Sequence, residues 1–156
     1  MLLVYIIRLG RLQPMNEYRF EEIYIGQKES FTREITSDME DMFRIISGDD
    51  NPLHRDDKFA KQVSKGKFDR HAVFGMLTAS MYSTFAGMYM PGKYSLIHGF
   101  DELSFIKPVF VGDVLTVTGE VTDKEDSLGL IKVKIVIKNQ NCKMVSRARI
   151  KILVLE

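Results

Sequence analysis

The sequence predicts an α+β domain in which an antiparallel β-sheet wraps around one long central helix. Three observations carry that prediction. Residues 74–92, FGMLTASMYSTFAGMYMPG, hold no charged side chain and mix small residues with large apolar ones, the pattern of a helix buried on nearly all sides. Towards the C-terminus Lys132, Lys134 and Lys138 alternate with Val133, Ile135 and Ile137, and Arg147, Arg149 and Lys151 with Ala148 and Ile150. Period two of this kind describes an antiparallel sheet with one face on the core and one in water. No repeat, low-complexity tract or linker divides the 156 residues, and a chain of that length builds one core without a disulfide or metal staple.

Each element follows in order. Residues 1–14, MLLVYIIRLGRLQP, read as a leader or misassigned start, with a single compact domain over 15–156. The apolar run is shorter than the roughly 20 residues that span a bilayer. Arg8 and Arg11 follow it, whereas a secretory signal places its charges first. Residues 29–35, ESFTREI, alternate as a short strand. Ser37 followed by Glu40 fits a capping box that opens a helix over residues 38–46. Met39, Met42, Phe43 and Ile46 form its apolar stripe, and Gly48 ends it. Residues 56–62, DDKFAKQ, make a short amphipathic helix with an acidic first turn. The central helix stops at Pro91-Gly92, and residues 94–106 are extended but irregular in pattern. Strands GDVLTVTGEV, LIKVKIVIKN and MVSRARIKILVL follow, with turns near 123–129 and 139–143. A free edge on such a sheet invites pairing with a second copy of the chain.

Charge and composition narrow the function. A net charge of +1 supplies neither the basic surface that nucleic acid needs nor a strong attraction to membranes. The single Cys142 cannot close a disulfide within the chain, which fits a reducing cytoplasm. His71 and His98 lack zinc-ligand spacing with His54. Phosphate-binding loops, dinucleotide fingerprints and nucleophile elbows are missing from the sequence. The basic run Arg55–Arg70 reads as a solvated face beside the motif described next, within reach of a phosphorylated substrate handle.

Residues 46–54, ISGDDNPLH, concentrate the candidate chemistry. Gly48 stops a helix, Asn51 caps a new turn, and Pro52 suits its first position, where no amide hydrogen is needed. All of this could be a plain turn. It also sets His54 directly after a tight loop, within reach of an aspartate before it, and spacing leaves Asp49 and Asp50 equal candidates. Gly75 opens the central helix, whose first amides have no partner within the helix and could polarise a carbonyl oxygen. Its structural reading is close packing. Ser83, eight residues on, reads by itself as a buried serine bonded to the preceding turn.

Taken together, Ser47-Gly48-Asp49-Asp50-Asn51-Pro52-Leu53-His54, then Asp56, Phe59-Ala60 and Phe74-Gly75-Met76-Leu77, closely resemble the hydratase motif of MaoC-like dehydratases. These are (R)-specific enoyl-CoA hydratases of the hot-dog fold. Pro108–Leu115, PVFVGDVL, resembles a further family segment, and the likeness covers about residues 18–155. The resemblance implies that Asp49 and His54 are the catalytic pair and that the Gly75 N–H faces the thioester carbonyl. It makes Ser83 and Asn51 supporting residues and places Phe74 and Met76 at the substrate. Many members carry His-Gly-Met where this chain has Phe74-Gly75-Met76, a change that makes the pocket less polar. The implied reaction interconverts trans-2-enoyl and 3-hydroxyacyl thioesters, with coenzyme A or acyl carrier protein as handle, no cofactor or metal, and a homodimer or higher homo-oligomer. Alternatives on the same fold are a thioesterase, which releases free thiol, and a non-catalytic module that binds acyl thioesters without turnover.

Overall fold

A computed structural model describes residues 14–155, so the leader reading falls on residues outside the described ones, apart from Pro14. In chain order the domain comprises β1 (Lys28–Glu34), α1 (Ser37–Ser47), a 3-10 turn (Pro52–His54), α2 (Asp57–Val63) and α3 (Gly75–Thr84). Four strands follow: β2 (Ser95–Phe105), β3 (Val114–Glu125), β4 (Leu130–Lys138) and β5 (Met144–Val154). The strands form one antiparallel sheet in the order β1-β3-β4-β5-β2. This is the α+β, hot-dog architecture expected from the sequence.

The alternation in β4 and β5 becomes burial as predicted: Val133, Ile135, Ile137, Ala148, Ile150 and Ile152 face the core and are almost inaccessible. Against them lie Tyr82 and Phe85 from the central helix, with Leu115 and Val117 from β3. At roughly 1.5–3 kcal/mol for each large apolar side chain, this layer dominates the favourable side of folding. β3 comes close to the helix because residue 119 is glycine: a Cβ there would stand 2.3 Å from the Phe85 ring.

One polar chain crosses the core. Ser146 Oγ donates to the Ser104 carbonyl at 2.9 Å, so Tyr82 Oη donates to Ser146 Oγ at 2.6 Å. Burial pushes the Tyr82 phenol up to about 12. At the other end of the helix, Asn16 N–H donates to the Met88 carbonyl and Tyr18 N–H to that of Pro91. These bonds tie residues 16–18 to the end of the central helix.

Four expectations are corrected. The cap of α1 is Thr36, whose side chain accepts from Met39 N–H, instead of Ser37; Glu40 turns inward to His71 instead of closing a box. Met39 and Phe43 pack on the core, but Met42 and Ile46 are exposed because α1 touches the domain over only a narrow strip. The central helix changes to a π-helical turn at Phe85–Tyr89, and Met76, Ser80 and Ser83 form an exposed stripe along it. Ser83 is thus exposed rather than buried, since the sheet covers the helix from one side only. The irregular pattern at 94–106 also has a cause: register shifts between Ile97 and Gly99 and between Phe100 and Glu102 interrupt the alternation of β2.

Candidate active site

The turn after α1 is built by its own short side chains. Gly48 ends the helix at φ 70°, a left-handed conformation that favours glycine. Asp49 N–H donates to Ser47 Oγ at 3.2 Å, and Asp49 Oδ1 accepts from Asn51 N–H at 3.0 Å. Asn51 Oδ1 accepts in turn from Leu53 N–H at 3.0 Å, which starts the 3-10 turn with Pro52 in its first position. Asp50 points elsewhere and pairs with Arg55 at 3.2 Å on the exposed side. Asp49 and Asn51 are exposed and His54 is half-buried at the end of the turn.

His54 is oriented by two contacts. Its Nδ1 lies 2.6 Å from the Ala72 carbonyl, and its ring packs on Phe74 with centroids 4.2 Å apart. A carbonyl oxygen only accepts, so Nδ1 carries the hydrogen and Nε2 is left for chemistry. Phe74 is itself buried and leans on Phe43 of α1. The residue that replaces the histidine of many hydratases therefore serves as an apolar backing for the His54 ring.

Gly75 is the first residue of α3, directly after Phe74, and no side chain caps this helix. The Phe105 ring lies 3.4 Å from where a Gly75 Cβ would stand, so the packing reading of this glycine has a physical basis. That leaves its N–H at the positive end of the helix, next to the residue on which His54 stacks. Met76 is 58% exposed. Ser83, eight positions along, lies about 12 Å further down the axis.

The structure thus brings His54, Phe74 and Gly75 together, and sets Asp49 and Asn51 in the same turn as His54. No hydrogen bond joins Asp49 to His54 directly among the described residues. A cleft of about 180 Å³ is lined by His54, Phe74, Glu40, Arg44 and His71, among others. Among the described residues no group of histidine, cysteine and carboxylate side chains could hold a metal ion.

Sequence reasoning gave Glu40 a capping role, set His71 aside as a zinc ligand and read Asp57 as part of an acidic first turn, and did not join the three. His71 Nε2 is 3.2 Å from Glu40 Oε2 and its Nδ1 is 2.5 Å from Asp57 Oδ1. These partners stand 31 and 14 residues away, so no local spacing could have revealed them. Burial raises the pKa of Glu40, with His71 pulling the other way. In His71 burial opposes the charge, but the Asp57 and Glu40 carboxylates outweigh it and hold the imidazole above its ordinary value.

Comparison with known proteins extends this local picture. The chain is 40% identical over 102 residues to the (R)-specific enoyl-CoA hydratase of Aeromonas caviae, a span of 65% of this chain and 73% of that protein. It is 33% identical over 104 residues to the 3-hydroxybutyryl-CoA dehydratase of Methylorubrum extorquens, covering 67% and 64% respectively. The solved structure of the A. caviae (R)-hydratase involved in PHA biosynthesis superposes with a TM-score of 0.78 at 32% identity, across 86% of this chain and 98% of that one. The family model described as MaoC like domain matches residues 21–141, a stretch that includes the turn, His54 and the start of the central helix. On that match the chain belongs to the MaoC-like domain family.

Proposed function

We propose that this protein is an (R)-specific hydratase/dehydratase that interconverts trans-2-enoyl and 3-hydroxyacyl thioesters. The observation that carries the reading is the committed Nδ1 of His54: with that hydrogen held by Ala72, neutral Nε2 is a proton acceptor at the mouth of a cleft. The identities to named hydratases and a dehydratase support it. In the hydration direction a water adds to C3 of the conjugated double bond while C2 gains a proton. Nε2 of His54 and the Asp49 carboxylate hold that water as one unit, together taking a proton from it and returning one to C2. Charge that builds on the thioester oxygen meets the Gly75 N–H at the helix N-terminus. Asn51 supports Asp49 through the turn, Phe74 and Met76 border the acyl group, and Ser83 supports the site from the exposed side of the helix. The reaction transfers no electrons, so the proposal includes no cofactor; coenzyme A or acyl carrier protein is the handle, and the cytoplasm is the proposed location. No helix among the described residues is long and apolar enough to cross a membrane.

The purified protein should remove the conjugated absorbance of crotonyl-CoA and yield (R)-3-hydroxybutyryl-CoA on chiral analysis. Release of free coenzyme A with the double bond intact would replace this reading with a thioesterase, and saturable binding without turnover would replace it with a binding module.

The reading includes a homodimer or higher homo-oligomer. Edge strand β2 exposes Leu96 (51%), Phe100 (44%) and Phe105 (49%), and the uncovered stripe of α3 lies on the same chain. An apolar strand at an open edge is a pairing surface. Light scattering after size-exclusion chromatography should give at least twice the chain mass; a monomer at micromolar concentration would remove this part.

A further inference from the structure

Beside the proposed catalytic turn lies a set of ionisable groups that the reaction as described does not use. Glu40, in the first turn of α1, is only 7% exposed, and its Oε1 is buried without a hydrogen-bond partner among the described residues. A carboxylate so placed is costly unless a cation stands beside it. Protonated, His71 supplies that cation to Oε2 and reaches Asp57 Oδ1 through Nδ1 on the other side; its own backbone N–H also donates to Asp57 Oδ1, at 2.9 Å. The next residue is Ala72, whose carbonyl takes the His54 Nδ1 hydrogen and whose N–H donates to the Leu53 carbonyl at 3.2 Å. After it, Val73 N–H donates to Val109 at 2.8 Å. The short segment that orients His54 is therefore fastened downstream by backbone bonds and upstream by the side chain of His71.

We propose that His71, held between Glu40 and Asp57, is a positioning residue for His54: it fixes the Ala72 carbonyl so that His54 keeps its hydrogen on Nδ1 and presents Nε2 to the substrate. The inference rests on the hydratase reading and adds to it a part that titrates. With its folded pKa above the ordinary 6.5, the protonated clamp is complete below that ordinary value and is lost as pH rises through the folded one. Glu40 and Asp57 then face each other across a neutral ring. Glu40 and His71 share a coupled proton and are treated as one unit. Other charged groups bear on the same space: Asp41 and Arg44 from α1, His54 and Arg55 from the turn, and Asp56 and Lys58 at the start of α2. Among the described residues only Glu40 and Asp57 bond His71 directly.

The test combines imidazole ¹⁵N NMR with pH–rate profiles on the full chain. In the wild type, neutral His54 should be the Nδ1–H tautomer. His71→Gln and Glu40→Gln should lose that bias while keeping the far-UV circular dichroism of the fold. In His71→Gln, kcat for crotonyl-CoA should fall by about tenfold with KM little changed, and the alkaline limb of the wild-type profile should vanish. An unchanged His54 tautomer in both variants overturns the proposal, as does a rate loss that retains the alkaline limb, since a merely structural residue would behave that way. If His71→Gln does not fold, Glu40→Gln and Asp57→Asn, each removing the negative charge on one side of the clamp, decide by the same readouts. A wild type that does not hydrate enoyl-CoA sinks the hydratase reading, and the tautomer measurement then decides the role of His71 without reference to turnover.

Discussion

Asp49→Asn and His54→Ala should each lower hydratase turnover by about 10²–10⁴-fold, the usual worth of general acid–base assistance. That range corresponds to about 2.7–5.5 kcal/mol of lost transition-state stabilisation. The loss should fall on kcat more than on KM, because the water held by the pair is activated only as the reaction proceeds. The local geometry explains why the variants should still fold. Asp49 is exposed and uses Oδ1 to accept from Asn51 N–H; the amide oxygen introduced by Asp49→Asn can accept the same bond. His54→Ala is less conservative, since it frees the Ala72 carbonyl and uncovers part of Phe74, at a cost of about 1–3 kcal/mol. His54→Asn is the sharper companion, because its amide N–H can replace Nδ1 as donor to Ala72 while nothing replaces Nε2. Asp50→Asn is the control: its ion pair with Arg55 is solvent-exposed, so it should change turnover little and stability by less than about 1 kcal/mol. Near-normal turnover in both Asp49→Asn and His54→Asn refutes the assignment.

Gly119→Ala should be among the most destabilising methyl additions in the protein, by about 3 kcal/mol. The new Cβ would fall 2.3 Å from the Phe85 ring, and neither side can easily yield. Residue 119 pairs with Glu29 of β1 and Ile135 of β4, so two ladders hold its backbone in place. Phe85 is inaccessible to solvent, and Tyr89 lies against it with ring centroids 6.5 Å apart. In a domain of this size, such a loss lowers the melting temperature by roughly 6–12 °C. The cause is testable by pairing it with Phe85→Leu, which should recover part of the loss, so that the double variant is more stable than the two single effects predict. Strict additivity in urea denaturation would show that the clash is not the source.

What was legible in the sequence depended on whether a signal was local. β4 and β5 could be read because every second residue keeps its side, and the alternation of burial holds from Ile131 to Lys138 and from Ser146 to Val154. β2 could not, because its two register shifts move the pattern off phase. Ser37 and Glu40 have the right spacing for a capping box, yet the desolvated partner available at His71 drew Glu40 inward and the cap fell to Thr36. The central helix looked apolar all round because its exposed stripe consists of Met76, Ser80 and Ser83, residues that carry no charge to mark it. At the site, composition and spacing reached the turn and His54 but left Asp49 and Asp50 equivalent. The geometry separates them: Asp49 bonds within the turn and Asp50 faces outward to Arg55. The contributions of Ala72 and His71 were invisible, one because it acts through a backbone carbonyl and the other because its partners come from distant segments.

The order of strands in the sheet runs against their order of synthesis. β1 and β2 emerge first, but they occupy the two edges and, among the described residues, pair only with β3 and β5 respectively. Until residues 114–154 have been made, neither has a partner and the apolar flank of the central helix has no surface to cover it. The meander of β3, β4 and β5, joined by short connections, is the first part of the sheet able to form from neighbouring sequence alone. The central helix therefore leaves the ribosome with its apolar flank uncovered, and residues 114–154 are what close the sheet over it.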